Sequence, residues 1–443
     1  MRGLLYIMAC LVLVSACQRN SASQTYSWEQ DLHQRLLTDF CLTESQVKDY
    51  IRKYIPDVTD EQMRAWEHDK VLECMELDGE KRYFRNAGPN LFRLDPTCRD
   101  IKVTREGSVA SVTEQVDSEN IPEIMAAVRQ DGTPVVAPKR MRVTYTLTVD
   151  TNVVPAGKIV RCWLPYPRTD HPRQRDVKLL VTSEPEYVLA SAGYSHSTLY
   201  MEKRAVAGCP TVFSETFEYT SYGEWHPIRA EEVKPYHTDS PLYKEFTAER
   251  KQHVVFTPQL RSLADSLTAD EPNPWLKVCR IFRWIHDHFP WASAREYSTI
   301  DNIPEYVLEN RHGDSGQLSL LFVALCRVSG IPARFQSGFM MHPGGWKQHG
   351  WAEIYLEDIG WIPVDQSLGI FPLARSEEEK YFFCGGVDSW RMLVNQDYGM
   401  PLFPAKHYPR SETVDFQHGE VEWEGGNLYF TDWDYDIEIE YLD

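Results

Sequence analysis

The sequence predicts an α+β protein, and three observations along it carry that prediction. Apolar residues recur at helical spacing behind capping signals up to about residue 130. From about 140 the pattern alternates with a period of two, and from about 240 the helical period returns before alternation resumes at the tail. A chain of 443 residues exceeds what a single core organises. The expected divisions are therefore a leader over 1–17, a helical region over 18–139, a β-rich, sandwich-like domain over 140–237, a mixed core over 238–405 and terminal strands over 406–443 that pack on the core or the β-domain.

Composition is that of a folded globular chain, at 42% hydrophobic, 12% aromatic and 25% charged residues, without a low-complexity tract. The formal net charge of −19 opposes nucleic acid and anionic lipid head groups as partners. In the leader, Arg2 precedes an apolar run from Leu4 to Val14, too short for a stable membrane span and suited to a secretory signal. Val14-Ser15-Ala16-Cys17 resembles the lipobox of bacterial lipoproteins. That resemblance implies acylation of Cys17 and a lipid-anchored, extracytoplasmic chain in the cell envelope. The eight cysteines beyond Cys17 are scattered and form no CxxC pair, so neither a zinc site nor a disulfide scaffold is expected, and most are read as buried small hydrophobes.

In the helical region, Thr43 with Gln46 and Thr59 with Gln62 are capping boxes ahead of apolar runs, and Pro56 closes the first helix. RNAGPNLFRLDP reads as turn and loop, and IPEIMAAVRQ as one further short helix. Strands follow in MRVTYTLTVD, GKIVRCWLPYP, VKLLVTSE, STLYMEKRA and TVFSETFEYTSY, all rich in β-branched and aromatic residues. PWLKVCRIFRWIHDHF then places its apolar residues on one broad helix face. RHGDSGQLSLLFVALCRVSGIPAR is a sharp turn into an apolar helix that stops at Gly330 and Pro332. FQSGFMM is a strand, HPGGWKQ a loop that reads either as a lid over the neighbouring cleft or as an ordinary connection, and WAEIYL, EDIG and WIPVD form a hairpin. DWDYDIEIEY alternates again. Its acids lack the glycine a calcium loop requires, and His286 and His288 point to different helix faces, so no metal or other cofactor is expected.

Three polar residues converge in this core. Ser315 opens the apolar helix, where backbone N–H groups and the positive dipole end favour an anion. His349 begins the hairpin strand, and Asp365 closes the second strand, opposite the neighbourhood of Ala352. A nucleophile at a helix N-terminus, a base and an orienting acid is the logic of covalent acyl transfer. Without the His349 and Asp365 blocks, Ser315 reads first as an N-cap, a role open also to Asp314.

RHGDSGQLSLLFVALCRVSGIPAR, HGWAEIYL and GWIPVD, over about residues 275–370, resemble the core of the transglutaminase-like superfamily, relatives of papain-type thiol enzymes. The resemblance implies a papain-like helix plus antiparallel sheet. It carries His349 onto the catalytic histidine, Asp365 onto the aspartate and the nucleophilic cysteine onto Ser315. It also implies an oxyanion-stabilising aromatic at Trp291, while Gln317 and Trp346 are expected to line the pocket. Because a serine hydroxyl is far less acidic than a thiol, no anion preforms in these surroundings. Cys326, about 16 Å further along the helix axis, cannot substitute. Two functions follow: a degenerate enzyme binding a peptide or protein chain in a retained cleft, or an acyl-transfer enzyme, peptidase or transglutaminase in type, using Ser315, His349 and Asp365.

Overall fold

The structure is a computed structural model that describes residues 26–107 and 110–442. The leader, with its proposed lipidation at Cys17, lies outside the described residues. Among the described residues no helix is long and apolar enough to cross a membrane.

The N-terminal region runs α1 (Trp28–Asp39), α2 (Glu44–Ile51), α3 (Asp60–His68), a hairpin of β1 (Cys74–Leu77) and β2 (Glu80–Tyr83), α4 (Ala87–Leu94) and α5 (Pro96–Glu106). Both expected capping boxes form, Thr43 with Gln46 and Thr59 with Gln62. The region is not purely helical. Asp78 and Gly79 both take positive φ, the geometry of a two-residue hairpin turn, and β1 and β2 pair across it. The expected loop RNAGPNLFRLDP is instead α4 and the start of α5. Its prolines fall in first turns, where the missing N–H is not needed, and Asp95 caps α5 by accepting from the Cys98 N–H. These elements share their own small core around Phe40, Tyr83, Phe84 and Leu91.

The expected short helix is the second half of α6 (Val112–Asp131), which starts at a third capping box, Ser111 with Glu114, and runs through Pro122. Its buried Ile121, Ile124, Met125 and Val128 pack into the main core and not against the N-terminal helices. β3 (Val135–Val149) starts five residues before the expected boundary at 140. With β4 (Ile159–Pro165), β5 (Gln174–Thr182), β6 (Tyr187–Leu189), β7 (Thr198–Arg204) and β8 (Thr211–Trp225) it builds two antiparallel sheets over a shared core that contains Tyr145, Trp163 and Phe217.

The core follows as α7 (Pro241–Phe246), α8 (Pro258–Thr268), α9 (Pro274–His288), α10 (Ile303–Asn310) and α11 (Ser315–Val328), then β9 (Ala333–Met340), β10 (Lys347–Leu356), β11 (Gly360–Val364), α12 (Glu377–Lys380), β12 (Gly386–Val387) and β13 (Arg391–Gln396). Its sheet has the order β11-β10-β9-β13, and α11 lies against it, buried from Gly316 to Arg327. The tail divides: β14 (Glu420–Trp423) and β15 (Gly426–Leu428) extend one sandwich sheet beside β4, while β16 (Trp433–Leu442) pairs with β3 in the other. Mixed helix and antiparallel sheet make the fold class α+β, as predicted.

Candidate functional site

At the head of α11 the cap is Asp314, not Ser315. The Asp314 carboxylate accepts from the Gln317 N–H at 3.0 Å, and Gln317 Oε1 accepts from the Asp314 N–H at 3.3 Å. Gln317 is thus a buried half of a capping box and does not line the cleft as expected. Ser315, released from capping, is the first helical residue, with its side chain free to face outward.

What it faces is β10. A Cβ added at Gly350 would stand 3.0 Å from the Gly316 Cα and 3.2 Å from its N, so two glycines let helix head and strand meet backbone to backbone. In that contact Ser315 Oγ accepts from the Gly350 N–H at 3.2 Å. Among the described residues no hydrogen bond joins Ser315 Oγ to the His349 ring, although the two residues line one cleft.

The hairpin pairs Ala352 with Val364, which carries Asp365 level with Trp351, two residues along the same strand face from His349. His349 Nε2 lies 2.7 Å from Asp365 Oδ2. With Asp365 ionised, Nε2 carries the proton and donates it, leaving Nδ1 as the ring's acceptor. Burial alone would raise the Asp365 carboxyl, but His349, Arg391 and the Leu368 N–H outweigh it and hold the group at about 2. Trp351 stacks against His349 at 21°, with its indole N–H anchored on Gln336 Oε1 at 2.6 Å. From the tail, Gln417 Nε2 donates to the His349 carbonyl at 3.0 Å and to that of Gly338, its partner across β9.

Behind Asp365 lies a second set of charges that sequence reasoning missed. Arg391, fully buried, donates to Asp365 Oδ2 at 2.9 Å and to Asp388 Oδ2 at 2.5 Å. Asp388 lies 3.5 Å from His342, whose Nε2 lies 2.9 Å from Asp117 of α6. Burial, with Asp388 nearby, lifts the Asp117 carboxyl to about 6. Asp117, His342 and Asp388 offer three potential metal-ligand atoms within 4.8 Å of one another. Arg391 pairs with Asp388 and His342 with Asp117, while among the described residues His342 Nδ1 and Arg391 Nη1 are buried without a hydrogen-bond partner. No local motif announces Arg391; its partners are set only by the register of β13 on β9.

The cleft measures about 890 Å³. Its walls come from α4 (Arg93), the start of α6, the α9–α10 connection (Trp291, Tyr297), the helix head, β10 and the tail loop at Glu412–His418. Trp291 is 45% exposed on this wall, under the Arg93 guanidinium at 5.1 Å, so it is no core residue. Trp346, expected in the pocket, instead packs against Phe339 and Tyr435 at the sandwich core, because its loop turns toward the sheet. Cys326 is buried, with its thiol pushed well above the usual range by burial. Cys41 and Cys209, by contrast, are exposed.

Helix head, histidine strand and aspartate strand together hold Ser315, His349 and Asp365 in one arrangement, and the region that matches known proteins contains all three. Residues 261–366 match the family model of the transglutaminase-like superfamily, so the core of this chain is a transglutaminase-like domain. The chain is 25% identical over 126 residues to a protein-glutamine gamma-glutamyltransferase of Pseudomonas aeruginosa, covering 26% of this chain and 19% of that protein. It is 26% identical over 132 residues to the uncharacterized protein YebA of Bacillus subtilis, covering 25% and 18%. The chain thus spans about a fifth of the length of these curated relatives. A solved structure of a candidate cysteine protease from Cytophaga hutchinsonii superposes with a TM-score of 0.46 at 16% identity, over 70% of this chain and 92% of that one.

Proposed function

We propose that the cleft binds a peptide or protein chain and that Ser315 leaves acyl transfer strongly impaired. The observation that carries this is the hydrogen bonding of Ser315 Oγ, held by the Gly350 N–H and unlinked to the base beside it. A thiol at the same helix head would ionise in advance under the helix dipole and the imidazolium. A hydroxyl must lose its proton during attack, to a base already within hydrogen-bonding distance. The name of the Pseudomonas aeruginosa relative points to acyl groups of protein glutamine as the chemistry from which this site departs.

A second reading is favoured by the intact pair of His349 and Asp365. In it Ser315 attacks an amide carbonyl, His349 acts as base and then acid, Asp365 orients the ring, and Trp291 supports the oxyanion. Both readings place the chain outside the cytoplasm, tethered through acylated Cys17, on the strength of Arg2, the apolar run and the lipobox-like residues.

A fluorophosphonate probe separates them. Intact-mass measurement after exposure should show no adduct on Ser315. A stoichiometric adduct that vanishes with His349→Ala would establish the second reading instead.

A further inference from the structure

Two cysteines far apart in the sequence meet behind the strand that ends at Asp365. One face of α9 runs along residues 381–385, the turn before β12, and presents Trp275, Cys279 and Arg283 to it, each one helical turn beyond the last. The Arg283 guanidinium lies over the Tyr381 ring at 5.1 Å, and the Trp275 ring stands 3.3 Å from where a Cβ on Gly385 would be. Between these two contacts Cys279 faces Cys384, whose S–H donates a hydrogen bond to the Cys279 sulfur. That bond, with Arg283 nearby, outweighs burial and lowers the Cys279 thiol, while the same bond and burial push the Cys384 thiol well above its usual range. Cys279 is partly exposed, Cys384 is buried, and both are free thiols in this structure. Cys326, buried on α11, also lies near Cys384 but takes no hydrogen bond from it.

A partly exposed thiol beside a cation, backed by a buried second thiol, is the pattern of a dithiol that closes by exchange. Resting on the reading of the chain as extracytoplasmic for its oxidant, we propose that Cys279 and Cys384 become joined by a disulfide that fastens α9 to the segment supporting Asp365. The Cys279 thiolate attacks a disulfide of the oxidant, of the protein or glutathione class, and releases one oxidant sulfur as a thiolate. Cys384 then gives up its proton, its sulfur bonds to that of Cys279, and the second oxidant sulfur leaves. The chain loses two electrons and two protons, and the oxidant takes them up as two thiols. What the bond fastens follows from the backbone. The Asp365 N–H donates to the Phe383 carbonyl at 2.8 Å and the Gly385 N–H to the Pro363 carbonyl at 3.1 Å, so the turn that carries Cys384 flanks the strand end that aims Asp365 at His349. Phe383 itself lines the cleft. A bond closing a loop of roughly 100 residues also removes much of the freedom of the unfolded chain.

Equilibration with glutathione tests the bond wherever the chain resides. The full chain is reduced, held in equal, roughly millimolar concentrations of reduced and oxidised glutathione, quenched in acid, alkylated after unfolding and mapped by mass spectrometry. The peptides of Cys279 and Cys384 should be recovered linked to each other, whereas in the fully reduced chain both cysteines are alkylated once denaturant is added. Cys326→Ala should keep the link. Cys279→Ser should leave Cys384 unlinked, and the melting temperature, which oxidation should raise by about 5 °C or more in the natural chain, should not rise in that variant. A persistent glutathione adduct on Cys279, a link from Cys384 to Cys326, or the same melting temperature with and without the bond overturns the proposal. The same mapping on acid-quenched cells that make the chain supplies the second arm, in which the linked pair is expected. Free thiols in the cell together with a linked pair in glutathione would sustain the disulfide site and sink the extracytoplasmic reading alone.

Discussion

Asp365→Asn removes one charge from the buried run that joins His349 to Arg391, and its cost follows from the contacts that carboxylate makes. Asp365 is fully buried and accepts from His349 Nε2, Arg391 Nη2 and the Leu368 N–H at 2.7, 2.9 and 3.1 Å. These hold its carboxyl at about 2 against an ordinary 3.8, a difference of roughly two units or about 2–3 kcal/mol of native-state stabilisation near neutral pH. Breaking a buried ion pair from one side costs about 3–5 kcal/mol, less what the asparagine oxygen recovers by accepting one of the same bonds. The expected loss is about 2–4 kcal/mol, read as a lower urea midpoint in tryptophan fluorescence at pH 7. Because the folded carboxyl is depressed, its contribution is complete above the unfolded value and disappears as pH falls through the folded one. The gap between natural chain and variant should therefore close between about pH 4 and pH 2. A loss below about 0.5 kcal/mol, or a gap that stays constant over that window, would refute the reasoning.

Two further outcomes are expected. Gly350→Ala drives a Cβ against the Gly316 backbone, which cannot yield as a flexible side chain would, and should cost about 1–3 kcal/mol in the same urea assay while detaching the Ser315 hydroxyl from its N–H donor. Iodoacetamide on the folded chain should label Cys41 and Cys209 and spare Cys98, Cys162, Cys326 and Cys384 until denaturant is added, as peptide mapping would show.

Much of the site was legible because its three blocks are local patterns: an apolar helix behind a tight turn, and a hairpin whose alternation sets the register of His349 against Asp365. What escaped depended on contacts distant in sequence. Arg391 reaches Asp365 from β13, Gln417 and Asp415 reach the cleft from the tail loop, and no spacing near them signals it. Other misses were local. Pro89 and Pro96 read as breakers although both sit in first turns, and Pro122 read as a helix start although it lies within α6. Asp78-Gly79 was a hairpin signal in plain view, overshadowed by the helical composition around it. At the helix head the ambiguity between cap and nucleophile site was resolved by one neighbour, since Asp314 takes the capping bonds and frees Ser315 for the cleft.

The most direct measurement is turnover of a chromogenic peptide-anilide library by the chain that keeps Ser315 beside Ser315→Cys, with Cys41→Ser and Cys209→Ser in both to silence the exposed thiols. Turnover confined to the thiol variant, and lost from it with His349→Ala, is the result expected of an intact site that lacks only its attacking sulfur. Turnover by the chain that keeps Ser315, disappearing in Ser315→Ala, would contradict it.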